Sequence, residues 1–147
     1  RSSCPESSVV QKEIQAIAKE LAKYGVRALG VSPDSRIKGL GSGRGKVSSH
    51  GIGSADVVLV PLEDGDRAAA LKKAGKKVIA IDLNPLSRTS KSADITIVDN
   101  LTRAIPLLLS FAKKLRRRKP TELARIVKSF DNKSALREAE REIRKGL

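Results

Sequence analysis

The chain has 147 residues, with 30 lysine and arginine side chains against 16 aspartate and glutamate side chains and a formal net charge of +14. A hydrophobic content of 39% excludes wholesale disorder, and no apolar run approaches the roughly 20 residues that a membrane span needs, so we expect a soluble, cytoplasmic protein. One cysteine, Cys4, excludes an internal disulfide framework, and together with the lone His50 it argues against a zinc cluster.

The positive charge is concentrated outside the middle of the chain. Residues 1–50 contain nine basic and four acidic side chains, residues 51–100 contain seven of each, and residues 101–147 contain fourteen and five. The excess peaks in what we call the basic run, residues 113–119: Lys113, Lys114, Arg116, Arg117, Arg118 and Lys119. This run can bind nucleic acid by counterion release. It is also typical of a solvated helix end, because cations favour the helix C-terminus, and we favour this interpretation because RNA-binding proteins usually add stacking aromatics.

The first predicted element is a helix from Val10 to Tyr24, where apolar side chains recur at steps of three and four. Gly25 is placed to end it in the left-handed conformation. The short apolar stretch at residues 26–31 predicts a strand. Residues 39–53 contain six of the eleven glycines and predict a long mobile loop.

Three runs of branched apolar residues predict the central sheet: 57–60, 78–81 and 95–98. They lack polar alternation, so we expect strands that are buried on both faces. Between the first two, Asp66 is a candidate N-cap for a helix over residues 67–74, and Gly75 is a candidate terminator. A strand, a helix and a strand of this length predict a right-handed parallel crossover.

Helices dominate the rest of the chain. Asp99 and Asn100 can cap a helix that begins at Leu101, with Pro106 either kinking it or opening its main segment. Residues 121–130 and 134–145 predict two closing amphipathic helices. The sequence therefore predicts one α/β domain over residues 1–147. Its sheet is Rossmann-like, doubly wound and mainly parallel, and it carries a helical tail over about residues 101–147.

Polar residues follow each predicted strand at the edge where such sheets bind ligands. Asp82 and Asn84 can fix sugar or base hydroxyls, and Arg88 offers a fork that matches a phosphate. Thr89, Asn100 and Leu101 add a hydroxyl and free backbone donors for an anion. Carboxylates for magnesium are supplied by Glu63, Asp64 and Asp66. Turns and helix caps explain several of the same residues, so a nucleotide site and a set of ordinary turns both remain open.

The glycine-rich segment matches neither standard phosphate-binding fingerprint. A P-loop needs glycine at Leu40 and Ser or Thr at Val47, and a dinucleotide fingerprint needs glycine at Arg44 or Lys46. A lid that brings Arg44, Lys46 or His50 to an anionic substrate and a plain linker are both compatible with this composition. Neither Cys4 nor His50 has an identifiable base, and we interpret both as incidental to catalysis.

Distinctive motifs lie in Gly65-Asp66-Arg67, in the run from Gly75 to Thr89, and in the segments 55–64, 93–100 and 103–106. In these motifs the sequence resembles archaeal 4-phosphopantoate–beta-alanine ligase, also called phosphopantothenate synthetase. The turn Phe130-Asp131-Asn132 is similar to that family too. The stretch from Asp82 to Thr89 is the most specific part of the resemblance, which covers nearly the whole chain from the first helix onward.

This resemblance implies an enzyme of coenzyme A synthesis that uses ATP to join 4-phosphopantoate to beta-alanine through an acyl-adenylate. It implies a homodimer, and it implies ATP contacts at Asp82, Leu83, Asn84, Arg88, Thr89, Asn100 and Leu101. A non-catalytic nucleic-acid- or ribosome-binding module on the same fold is the alternative.

The resembled enzymes are considerably longer. Their N-terminal helical region, with further nucleotide-contacting arginines and an early strand, has no counterpart in this sequence, and a first residue of Arg1 instead of Met suggests a processed chain or a fragment. We therefore expect this chain alone to be inactive or nearly so as a ligase.

Overall fold

The computed structural model describes residues 6–62 and 64–146. Contacts between Cα atoms divide the chain into two compact units, one ending at Ala55 and the other beginning at Asp56. Each unit is described below by itself. The expectation of one domain over residues 1–147 stays a prediction.

The first unit opens with the long helix that the sequence predicts. Helix α1 spans Glu6–Lys23. Gly25 follows at φ +72°, and the amide of Val26 donates to the carbonyl of Leu21 at 3.1 Å. Because only glycine adopts this left-handed conformation easily, Gly25 ends the helix as predicted.

The strand predicted over residues 26–31 is wrong. No strand forms there, and the side chains of Val26 and Leu29 are 49% and 51% exposed. An extended apolar segment becomes a strand only when a neighbouring backbone pairs with it, and the described residues provide no such neighbour here.

The glycine-rich segment contains regular structure, so its prediction as one long loop is wrong. Strand β1 (Ser35–Arg36) pairs antiparallel with β2 (Lys46–Val47), and a short 3-10 helix at Ser42–Gly45 precedes β2. A wide helical turn follows at Ser49–Gly53. Three apolar side chains are buried in this region: Ile37, Leu40 and Val47. Glycines let the backbone fold tightly around this small core.

The second unit is built on a parallel three-stranded sheet. Strands β3 (Val57–Val60), β4 (Lys77–Ile81) and β5 (Ile95–Ile97) lie in the order β3-β4-β5, with Val58 opposite Val78 and Ile79 opposite Ile95. Helix α2 (Gly65–Lys73) connects the first pair and the five-residue helix α3 (Arg88–Ser92) the second. The three predicted strands and their parallel direction are confirmed, and the unit is an α/β structure.

Burial on both faces is wrong for β3. Val58 and Val60 are buried, but Val57 and Leu59 are 53% and 43% exposed. β3 lies at one edge of the described sheet, and its face with Val57 and Leu59 is exposed in the part of the chain that the structure describes. The central strand is better enclosed, since Val78 and Ala80 are fully buried.

Helix α2 begins two residues earlier than predicted, and its cap is different. The Asp64 side chain accepts a hydrogen bond from the amide of Arg67 at 3.1 Å, whereas Asp66 lies within the first turn. Asp66 is therefore not the N-cap. A capping carboxylate accepts from the amide two or three residues ahead. In a helix that begins at Gly65, the amide of Arg67 is three residues after Asp64, so Asp64 is the cap. Gly75, at φ +80°, follows the helix end as predicted.

Three helices close the chain: α4 (Leu101–Leu115), α5 (Pro120–Ser129) and α6 (Asn132–Lys145). Asn100 caps α4 by accepting from the amide of Thr102 at 2.9 Å, as predicted, and Pro106 lies inside α4 instead of opening it. Leu107, Leu109 and Phe111 on this helix are more than half exposed. No helix among the described residues is both long and apolar enough to cross a bilayer.

Candidate functional site

The carboxyl ends of β3, β4 and β5 lie at one edge of the sheet because the strands are parallel. The segments that follow these strands begin at Pro61, Asp82 and Val98. The amide of Asp82 donates to the carbonyl of Ile97 at 3.1 Å, which ties the end of β4 to the end of β5. The sequence-predicted residues after β4 and β5 therefore start from adjacent points.

Asp82 and Asn84 shape the turn between β4 and α3. The Asp82 carboxylate accepts from the amide of Asn84 at 2.9 Å and from the hydroxyl of Ser87 at 2.5 Å. The side-chain oxygen of Asn84 accepts from the amide of Leu86 at 2.9 Å. Both side chains thus hold a fixed backbone turn, and Leu83 between them is 63% exposed. An exposed leucine on a rigid turn gives a small apolar surface beside polar groups.

Thr89 is placed inside the structure rather than at its surface. Its side chain is fully buried, and its hydroxyl accepts from the amide of Asp64 at 3.0 Å. The Thr89 hydroxyl therefore fastens the start of α2 to α3 instead of facing solvent, and its predicted contact with ATP stays a prediction.

Arg88 lies at the surface and forms an ion pair with Asp66. Their side chains are 74% and 49% exposed. The two helices meet closely at this point, because a Cβ added to Gly65 would lie 2.6 Å from the Cβ of Arg88 and 3.3 Å from the amide nitrogen of Thr89. Only glycine fits at Gly65, and this close approach positions the guanidinium of Arg88 next to the first turn of α2.

Two of the three predicted metal ligands, Asp64 and Asp66, form contacts within the protein. Asp64 caps α2 and lies 3.8 Å from the Nε of Arg67, and Asp66 pairs with Arg88. Glu63 and Cys4 lie outside the described residues. Within residues 6–62 and 64–146 no group of three or more His, Cys, Asp or Glu could hold a metal ion, and magnesium binding through one or two of Glu63, Asp64 and Asp66 stays a prediction.

Asn100 and Leu101 form the third predicted contact segment at the start of α4. Asp99 beside them accepts from the Nε of Arg103 at 2.8 Å and from the amide of Asn100 at 2.7 Å. These bonds, led by that from Arg103, lower the pKa of the Asp99 carboxyl below its ordinary value. Leu101 is the first residue of a 15-residue helix, whose next amide, that of Thr102, is held by the Asn100 side chain, and an anion contact at this helix start stays a prediction.

Sequence reasoning missed α3 and the residues that support it. Ser87 caps α3 by accepting from the amide of Ser90 at 2.9 Å, and Ser90 is fully buried. Asn132, at the start of α6, donates to the carbonyl of Ser90 at 3.1 Å. The Ser87 cap has the ordinary local signal of a serine three residues before its partner, but nothing local indicates a contact across 42 residues.

The candidate lid residues belong to the first unit. Arg44, Lys46 and His50 are exposed there. Asp34, close to them in that unit, accepts from the hydroxyl and from the amide of Ser49, both at 2.6 Å. The bond from the Ser49 hydroxyl lowers the pKa of the Asp34 carboxyl most, and the bond from the Ser49 amide lowers it further. A lid role for the three cations stays a prediction.

The basic run covers the end of α4 and the turn into α5. Lys113, Arg116 and Arg117 line a shallow groove. Arg118 pairs with Glu122 at 3.7 Å, and the ammonium of Lys114 lies 5.7 Å from the ring centre of Phe111. The run thus combines a cationic groove with one neighbouring aromatic ring.

The model of one protein family matches residues 9–146, and that family is described as phosphopantothenate/pantothenate synthetase. The chain belongs to this family. Three curated relatives are each named 4-phosphopantoate–beta-alanine ligase. They come from Thermococcus onnurineus, Thermococcus kodakarensis and Methanosarcina mazei. Each relative is 49% identical to this chain, over 93%, 86% and 91% of its length respectively.

These matches cover 53%, 49% and 53% of the relatives' own lengths. The chain therefore spans about half the length of the curated relatives that it matches. The family resemblance expected from residues 55–106 and from the turn at Asp131 is confirmed.

Proposed function

We propose that this chain supplies the nucleotide-binding part of an ATP-dependent ligase that joins 4-phosphopantoate to beta-alanine in coenzyme A synthesis in the cytoplasm. The observation that carries the proposal is the combination of the family match over residues 9–146 with an edge of parallel strands that is followed by Asp82 and Asn84 and then by Arg88 at the start of α3. Ligands of open α/β sheets bind at that edge. We further propose that the complete sheet is Rossmann-like and doubly wound, which the strand-helix-strand connections of the second unit support.

The chemistry requires an activated acid, because a carboxylate is a poor electrophile. In the proposed reaction a carboxylate oxygen of 4-phosphopantoate attacks the α-phosphorus of ATP, and the bond from that phosphorus to the pyrophosphate oxygen breaks. The amine of beta-alanine then attacks the acyl carbon of the adenylate. The amide bond forms, AMP leaves with the electrons of the acyl–oxygen bond, and the amine loses a proton.

Each residue at the edge has a role that its position supports. The exposed Leu83 offers apolar contact to a base, and Asp82 and Asn84 offer hydrogen bonds to sugar hydroxyls. Arg88 pairs with a phosphate, and Asn100 with the first amides of α4 at Leu101 binds a second anionic group. Magnesium would reach the site bound to the phosphates of ATP, and one or two protein carboxylates are enough to hold it there.

Arg88 must exchange its ion pair with Asp66 for a phosphate in this proposal, and the magnitudes favour the exchange. An exposed ion pair is worth up to about 1 kcal/mol. A hydrogen bond to a charged group contributes about 1.5–3 kcal/mol, and a guanidinium can make two of them to one phosphate. The ion pair with Asp66 therefore holds the Arg88 guanidinium in place but is weak enough to be replaced by a phosphate.

Thermal unfolding with and without ATP tests the proposal. ATP binding should raise the melting temperature of the chain in a concentration-dependent way, and Arg88→Ala should reduce the affinity for ATP at least tenfold, as expected from losing one charge-assisted bond. Arg125→Ala, which removes an exposed arginine from α5, is the matched control and should bind ATP as the original chain does. An equal shift for all three proteins would rule out the role of Arg88.

The resemblance also implies a homodimer, and we propose a second copy of this chain as its partner. Sedimentation equilibrium at micromolar concentration should give twice the chain mass of 15.8 kDa. A mass of one chain throughout would reject the dimer.

A second candidate function is binding of RNA through the basic run. Two observations favour it: a groove lined by Lys113, Arg116 and Arg117, and the ammonium of Lys114 over the ring of Phe111. RNA binding would weaken steeply as salt rises, since each phosphate contact releases counterions. A flat salt dependence, or no binding near physiological salt, would reject this candidate.

A further inference from the structure

The side chain of Asn132 links the start of α6 to the segment that follows α3. Its amide nitrogen donates to the carbonyls of Ser90 at 3.1 Å and Ala93 at 3.2 Å. Its oxygen accepts from the amide of Thr96 at 2.7 Å. The amide group thereby uses both of its donors and one acceptor position, and all three partners belong to residues 90–96.

These bonds matter because α3 is only five residues long. Carbonyls in the last turn of a helix have no partner within the helix, and a single turn is unstable without outside contacts. Ser90, Ala93 and Thr96 are buried, so water does not replace a missing partner for them. Asn132, assisted by the hydroxyl of Thr96 at 2.9 Å from the Ser90 carbonyl, supplies the partners that α3 lacks.

The opposite end of α3 carries the residues of the proposed nucleotide site. Arg88 and Thr89 are its first two residues, and Ser90 directly follows them. A shift of the Ser90 carbonyl would therefore move the guanidinium of Arg88 relative to the turn at Asp82. Because α3 is so short, its two ends cannot move independently.

We propose that Asn132 is a positioning residue of the nucleotide site: it fixes α3, and with it Arg88, from the C-terminal helices. This inference rests on the proposed function for its effect on ATP. It gives the tail a role in ligand binding that is separate from the basic run.

The neighbouring Asp131 provides a matched control. Its carboxylate caps α6, accepting from the amide of Lys133 at 3.0 Å and from the hydroxyl of Ser134 at 2.6 Å. Asp131 thus serves α6 itself, whereas the next residue serves α3. Asp131→Ala and Asn132→Ala should both lower the melting temperature, but only the second removes bonds to residues 90–96.

The experiment measures ATP affinity by calorimetry on the full 147-residue chain, well below the melting temperature of each variant. Asn132→Ala should weaken ATP binding at least fivefold, and Asp131→Ala should change it less than twofold. In Asn132→Asp a carboxylate would face two carbonyls, which repel it. The ATP affinity of this variant, compared with that of the original chain at the same pH, should therefore improve as the pH falls, because the protonated carboxyl can donate a hydrogen bond. Unchanged affinity in Asn132→Ala, or equal losses in both alanine variants, would overturn the proposal.

Amide hydrogen exchange separates this inference from the proposed function. Asn132→Ala should speed exchange at the amides of Ser90, Lys91 and Ala93, and Asp131→Ala should not. If exchange responds in this way but the original chain binds no ATP, the proposed function fails and the anchoring of α3 stands. If exchange does not respond, the anchoring is wrong whatever the chain binds.

Discussion

At the scale of single residues, the candidate site consists of side chains that shape the backbone as well as side chains that face solvent. Asp82 and Thr89 are committed to internal hydrogen bonds at 2.9 Å and 3.0 Å. Arg88 and Leu83 are largely exposed. The bonds of the first pair therefore make the site rigid, the Asp82 carboxylate keeps acceptor positions for a ligand, and the second pair is exposed to it.

Asp66 gives a prediction that separates two roles for its carboxylate. If it only holds Arg88, Asp66→Asn frees the guanidinium, removes repulsion with phosphate and strengthens ATP binding about two- to fivefold, in line with the loss of one exposed ion pair. The affinity is measured by calorimetry with magnesium present.

The matched control is Asp56→Asn, which removes an exposed carboxylate just before β3, at the opposite end of the sheet from the site. It should leave the affinity unchanged. Weaker binding by Asp66→Asn would instead assign Asp66 to magnesium.

Which residues the sequence could locate depends on how local their contacts are. Asn100 was predicted as a cap because its partner, the amide of Thr102, is two residues away. The cap of α2 was assigned to Asp66 instead of Asp64, since several acids occur together and the sequence does not show which one meets the first turn. Asn132 has partners 36–42 residues away, and such a contact depends on tertiary packing.

At the scale of elements, the close approach of α2 and α3 determines where Arg88 lies. The contact depends on Gly65, which has no Cβ to separate the two helices. An alanine there adds an atom to a filled space, which costs about 1–3 kcal/mol in packed interiors.

Gly65→Ala should therefore lower the free energy of unfolding by about 1 kcal/mol or more, even though alanine favours a helix, and it should weaken ATP binding by displacing Arg88. Urea denaturation measures the first effect. Gly43→Ala is the control, because an added Cβ there meets no atom within 4 Å, and its effect should stay within about 0.5 kcal/mol. A fully stable Gly65→Ala variant would contradict the packing that we describe.

The sequence predicts the strands of the parallel sheet and the long helices well because their signals are repeated along the chain. Branched residues marked β3, β4 and β5, and regular apolar spacing marked α1. Residues 26–31 have the composition of a strand but no pairing partner among the described residues, and α3 is a single turn with no periodicity to detect. Pairing and tertiary anchoring are therefore what the sequence alone could not supply.

At the scale of the whole molecule, the distribution of charge separates two kinds of anion partner. The sheet edge lies in the part of the sequence where acidic and basic residues balance, at seven of each over residues 51–100. The basic run lies in the part with fourteen against five. A small nucleotide at the sheet edge requires placed hydrogen bonds, whereas a polyanion at the basic run requires only accumulated charge.

The central claim is that ATP binds at the carboxyl edge of the parallel sheet. Nuclear magnetic resonance of the isotope-labelled 147-residue chain during titration with ATP and magnesium tests it most directly. We expect the amide signals that move most to belong to Asp82–Thr89 and to Asn100 and Leu101, with little change in the basic run. Shifts confined to residues 113–119, or no saturable shifts at the sheet edge, would contradict it.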